Sequence, residues 1–164
     1  MKTILTAFVA IAAASAALAA GNAERGAYLA AIMDCEGCHS GRAPDGALDP
    51  AQHLTGGTLG FELPGLGIFW PPNLTPQPDG LGAWSDEEVA AAIRSGVRPD
   101  GRTLAPIMPW PSYRALTDED VADLVAYLRT LPPSANRMPA PVPAGGDAPA
   151  PFFRIVLPAS APPK

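Results

Sequence analysis

The run Cys35-Glu36-Gly37-Cys38-His39 limits what this chain can fold into more than any other part of it. Two thiols three positions apart, followed at once by an imidazole, match the attachment site of a c-type haem, with each sulfur bonded to one vinyl group and the histidine beneath the iron. A chain carrying that motif folds around a large flat cofactor, which then serves as its core. A bare Cys pair also fits a redox dithiol, a structural disulfide or half of a zinc site. The sequence has 2 cysteines in all, so no second pair completes a tetrahedral metal site, and the βαβ pattern of a thioredoxin-like fold is absent.

Haem is attached covalently outside the cytoplasm in bacteria, which turns attention to the N-terminus. Lys2 provides a positive start, Ile4 to Ala20 is apolar and rich in alanine, and Ala17-Leu18-Ala19 fits a small-x-small cleavage pattern. Residues 1–19 therefore read as a secretory signal peptide, removed on export to the periplasm. A retained membrane anchor is the competing reading, since about 17 apolar residues stands near the lower limit for a span. Without Lys2 the 11 Lys+Arg fall to 10, against 16 Asp+Glu, and this acidic balance argues against a nucleic-acid partner. The 21 prolines and 16 glycines favour long irregular segments over a dense bundle.

Three helices are legible. The first is expected over Asn22 to Asp34, where Gly26, Leu29, Ala30 and Met33 share one face. The second starts at a Ser85 cap with Glu88 completing a capping box, and ends before Gly96. The third starts at Thr117 with Asp120 in the reciprocal position, carries Val121, Leu124, Val125 and Leu128 on one stripe, and stops at Pro132. Its stripe is expected to pack on the first helix, with Gly26 permitting a close crossing near Tyr127. Ser40 to Ala83 has no periodicity and is broken by Gly56-Gly57, Pro64-Gly65, Pro71-Pro72 and Pro78-Asp79-Gly80. Wrapped over a cofactor, such a loop lets Leu54, Leu59, Phe61, Leu66, Ile68, Phe69, Trp70 and Leu74 line the haem edges. Residues 134–164 form a Pro-rich extension whose Phe152 to Leu157 is either a flap laid back on the domain or a strand for a partner.

What fills the iron's sixth position decides between electron transfer and ligand chemistry. Met108 lies between the second and third helices, about 70 residues after the motif, on a segment stiffened by Pro106 and Pro109. That placement suits a thioether on the haem face opposite His39. Met33 precedes the motif, Met138 falls in the tail, and His53 is the alternative ligand.

Several motifs, taken in order, resemble the class I cytochromes c, and within them the cytochrome subunits of bacterial alcohol, aldehyde and gluconate dehydrogenases. They are Gly26-Ala27-Tyr28-Leu29-Ala30 ahead of the haem motif, Pro72-Asn73-Leu74-Thr75-Pro76, Gly80-Leu81-Gly82-Ala83-Trp84-Ser85-Asp86-Glu87-Glu88, Met108-Pro109-Trp110, and Leu116-Thr117-Asp118-Glu119-Asp120-Val121 running into Ala126-Tyr127-Leu128-Arg129. The resemblance implies an all-α, small class I cytochrome c fold of three to five helices over residues 20–133, with long Pro/Gly-rich loops around one covalently bound haem c. It further implies thioethers at Cys35 and Cys38, His39/Met108 axial ligation, and the passing of single electrons. Those subunits usually carry three haem domains and a C-terminal membrane anchor, whereas one CxxCH stands here, and Pro151-Phe152-Phe153-Arg154 looks like the linker after their first haem domain.

Secondary expectations follow. A backbone carbonyl in the loop near Pro44 holds the Nδ1 proton of His39, Trp84 or Arg98 bonds a propionate, and Trp70, Trp110 and Tyr113 are pocket wall. The Asn73-Leu74-Thr75 sequon reads as a coincidence of the loop. Such a carrier is not an enzyme: it takes electrons from a dehydrogenase and gives them to an oxidase or another cytochrome of the respiratory chain, docking in part through the C-terminal extension. Two rival classes stand beside it, a haem enzyme or gas sensor with an open sixth site, and an interaction module that uses haem only as a staple.

Overall fold

Asn22 opens the first helix as a side-chain cap, its Oδ1 accepting from the backbone N–H groups of Glu24 and Arg25, and α1 runs over Ala23–Ile32. The computed structural model describes residues 20–156, so the signal-peptide expectation for 1–19 and Leu157 lie outside the described residues. Asp34, at φ 55°, breaks the helix, and α2 (Cys35–His39) restarts it as a single turn bearing the whole haem motif. The capping boxes appear as expected: Ser85 with Glu88 starts α3 (Asp86–Ser95), and Thr117 with Asp120 starts α5 (Asp118–Thr130). Between them α4 (Trp110–Tyr113) is one turn.

Helices α1 and α5 form the main crossing. A Cβ on Gly26 would fall inside the Asp123 carbonyl and 2.8 Å from Tyr127 Cβ, so only glycine allows this approach. Leu29 and Ala30 meet Leu124 there, while the other side of α5 joins Leu54, Leu81, Val89 and Leu131 in a second cluster. Arg25 spans the crossing, donating to Asp123 at 2.6 Å and to Asp120 at 2.5 Å.

The all-α expectation is corrected by a small sheet. Strands β1 (Gly60–Leu63) and β2 (Gly67–Phe69) form an antiparallel hairpin pairing Phe61 with Phe69, and β3 (Phe152–Phe153) adds to β1 in parallel. Strands of two to four residues carry no readable period, which is why the sequence shows only a loop there. The same pairing decides the fate of the tail. Phe152–Phe153 is laid back on the domain, with Phe153 and Phe61 ring centroids 5.7 Å apart and Arg154 paired to Glu62. No helix among the described residues is long and apolar enough to cross a membrane.

Candidate haem-binding site

A cavity of about 600 Å³ opens between α2, the loop 69–84, α3, the segment 98–113 and the tail. Cys35, Cys38 and His39 line one part of it, and Trp84, Arg98 and Met108 line others. The single turn of α2 sets this order: the thiols stand three residues apart and His39 follows, 7 % exposed.

His39 Nδ1 donates to the Pro72 carbonyl at 2.8 Å. The expected acceptor near Pro44 is thus corrected: the fixed φ of Pro71 and Pro72 keeps that stretch extended along the cavity, which holds the Pro72 carbonyl within reach of the ring. Fixing Nδ1–H leaves Nε2 as the basic nitrogen, and it has no hydrogen-bond partner among the described residues. Burial lowers the pKa of His39, with the Pro72 bond opposing, so the ring is held neutral as a metal ligand requires.

Burial raises the pKa of both the Cys35 and the Cys38 thiol, that of Cys35 to about 11. Thiolate chemistry is thereby disfavoured. A thioether carries no charge and loses nothing in such a setting. Among the described residues no cluster of three His, Cys, Asp or Glu side chains forms a metal site.

Arg98 stacks its guanidinium 4.9 Å from the Trp84 ring, and its buried Nε has no hydrogen-bond partner. Asp100 Oδ2 is 3.5 Å away, an ion-pair distance without hydrogen-bond geometry. Arg98 lines the cavity beside Trp84, and a guanidinium at an otherwise apolar wall fits an anionic group of a ligand, as a propionate is. Taken together, the apolar walls, paired thiols, neutral imidazole and cavity-lining guanidinium fit a haem.

Met108 is held by a tight local chain of backbone bonds, Met108 N to Ala105 O at 3.0 Å and Trp110 N to Met108 O at 2.8 Å. Met33 and Met138 reach the same cavity. His53 does not: its Nδ1 pairs with Glu36 at 2.9 Å and its Nε2 with the Tyr127 hydroxyl at 2.8 Å. Trp70 and Tyr113 line the cavity, but Trp110 packs over Gly96 and donates to Leu104 O instead. Of the loop residues expected at haem edges, Phe61, Phe69, Trp70 and Leu74 face the cavity, whereas Leu54 is core and Leu66 is exposed.

The family model for cytochrome c matches residues 23–132. The chain belongs to the cytochrome c family. Membership brings a covalently bound haem c and an electron-transfer role. This cytochrome c is 38 % identical over 118 residues to a "Diheme cytochrome c-type" protein of Cereibacter sphaeroides, the match covering 70 % of this chain and 38 % of that one. It is 41 % identical over 107 residues to the fructose dehydrogenase cytochrome subunit of Gluconobacter japonicus, covering 65 % and 20 %. It is 39 % identical over 105 residues to the gluconate 2-dehydrogenase cytochrome c subunit of Pantoea cypripedii, covering 63 % and 22 %. The match spans well under half the length of each of these relatives.

Two features of this cytochrome c were not expected from the sequence. Asn73 is 3 % exposed, its Nδ2 donating to Ser134 O and Asn136 O and its Oδ1 accepting from Thr75 N and Oγ1. Its amide is fully engaged, so the sequon offers no accessible acceptor. Asn136, Met138 and Pro139 to Pro141 line the cavity although they follow the last helix. The only signal for Asn73 was its place in Pro72-Asn73-Leu74-Thr75-Pro76, where an Asx side chain caps its own turn.

Proposed function

We propose that this cytochrome c is a periplasmic carrier of single electrons with one haem, held by thioethers from Cys35 and Cys38 and by axial bonds from His39 Nε2 and Met108 Sδ. The observation that carries this is the gathering of both thiols, a neutral imidazole with Nδ1 fixed, and Met108 around one apolar cavity. The bound haem supplies a ferric/ferrous couple. The chain's own part is to keep both ligands neutral, to fix the imidazole through Pro72, to offer Arg98 and Trp84 to a propionate, and to keep water from the iron. A thioether and an apolar wall favour the ferrous state, so the protein accepts electrons readily.

The names of the relatives support a dehydrogenase as donor, and the chemistry of the couple suits an oxidase or another cytochrome as acceptor. The protein carries charge without transforming a substrate. Residues 1–19 direct export to the periplasm. Absorption spectra of protein expressed in the periplasm, oxidised and reduced, with carbon monoxide added to the reduced form, test the reading. Low-spin c-type bands, a weak far-red sulfur-to-iron band when oxidised and indifference to carbon monoxide are expected, with Met108→Ala losing the far-red band and binding carbon monoxide. A high-spin wild type that binds carbon monoxide would transfer the conclusion to a haem enzyme or gas sensor.

A further inference from the structure

The cavity has a wall outside the family match. Matched residues end at 132, yet Asn136, Met138, Pro139, Ala140 and Pro141 face the same space as His39 and Met108. The geometry points to residues 134–142 as a strap that completes the haem pocket, with Met138 as the positioning residue that seals its histidine side. This deepens the proposed function and rests on its haem reading.

The strap is pinned beside both backbone groups that His39 engages. His39 Nδ1 donates to Pro72 O, and the next residue, Asn73, donates to Ser134 O at 2.7 Å and Asn136 O at 3.0 Å. His39 O accepts from Gly56 N at 2.8 Å, and the preceding Thr55 O accepts from Asn136 Nδ2 at 3.1 Å. Further on, Val142 and Ile68 exchange both backbone bonds, at 2.8 and 2.9 Å. Between these pins Met138 lies over Gly56. A Cβ there would come within 2.7 Å of Met138 Cγ and 2.9 Å of its Sδ, and Gly56 also sits at φ 111°, a conformation that glycine adopts without strain. Pro139 and Pro141 have no N–H to leave unpaired against an apolar cavity. A thioether on a flexible stem suits the irregular gap that remains.

The strap acts through the dielectric. With neutral axial ligands the ferric iron centre carries one more positive charge than the ferrous one, so a dry wall disfavours the oxidised form and raises the potential. A polar group or admitted water at Met138 stabilises the ferric form.

The test uses the full-length, haem-bearing protein with Met138→Gln and Met138→Leu, read by potentiometric titration and by spectra of the oxidised form. Met138→Gln is expected to lower the reduced-to-oxidised ratio at fixed ambient potential roughly tenfold, about 59 mV for a one-electron couple. Its far-red band stays, and Met138→Leu titrates like the wild type. A Met138→Gln protein that titrates like the wild type overturns the strap's role while the haem reading stands. Loss of the far-red band in both variants, with Met108→Ala unchanged, overturns it by making Met138 the iron ligand. Purified protein without covalent haem overturns both.

Discussion

Helices α1 and α5 meet where Gly26 lets backbone approach backbone and where apolar residues repeat with the helical period. The opposite wall, residues 40–83 and 134–153, has almost no such repeat; backbone hydrogen bonds and a few buried polar side chains hold it, Asn73 foremost. Within that wall Leu54 is 1 % exposed at φ 55°, a strained conformation for a branched residue that burial and its bonds to Ser40 and Leu74 keep in place. One region is stabilised by periodic apolar burial. The other has its apolar residues aimed at a cavity, so its order depends on what fills that cavity.

The largest effect should come from removing the covalent attachment. Cys35→Ala with Cys38→Ala should abolish covalent haem completely, and the two regions should then part. In hydrogen exchange the amides of Gly57, Ile68 and Leu74 should lose protection while those inside α5 retain it. Equal loss throughout would mean that the helical crossing also depends on the cofactor.

Striking the crossing instead reverses the pattern. Gly26→Val places a branched side chain against Asp123 and Tyr127, and overpacking of this kind costs about 3 kcal/mol. Urea denaturation of the haem-bearing variant should show that loss with the oxidised spectrum little altered. An altered far-red band would mean that strain at Gly26 reaches the iron.

Asn73→Ala attacks the wall directly. It strands the carbonyls of Ser134 and Asn136 and the donors of Thr75, at a cost of about 2 kcal/mol. Arg137, exposed on the strap, should then be cut by trypsin well before the helical region is touched. Resistance equal to that of the wild type would show the strap is held by β3 and Val142 alone.

This contrast also explains what could be read from the sequence. Ser85/Glu88 and Thr117/Asp120 are local signals, complete within four residues, and both open helices where expected. The haem motif is likewise local, and α2 presents it to the cavity. The acceptor for His39 Nδ1 lies 33 residues away, and the strap's pins join residues 61 to 81 apart. Pairings of that separation have no period and no spacing rule, so the wall read as loop and its last part as a Pro-rich extension that could either fold back or serve a partner. Trp110 failed as a pocket residue for a related reason, since the lack of a Cβ at Gly96, fourteen residues earlier, leaves a seat for its ring outside the cavity.

The smallest effect expected is electrostatic and belongs to the crossing alone. Asp120 is held at a pKa of about 2, first by the Thr117 backbone N–H and then by Arg25, and Asp123 is lowered by the Asn22 N–H and Arg25. Both carboxyls have native pKa values below the ordinary 3.8, so their contribution is present above about pH 4 and is lost as pH falls toward 2. The urea midpoint of the wild type should therefore decline across that window. In Asp120→Asn the midpoint should start lower at pH 6 and decline less, because the variant no longer has that proton to bind. A variant with the wild-type slope would assign the acid sensitivity to carboxyls of the wall, such as Asp49, whose pKa is lowered by Gln52. The crossing would then be held by its apolar face and Gly26 without measurable help from Asp120.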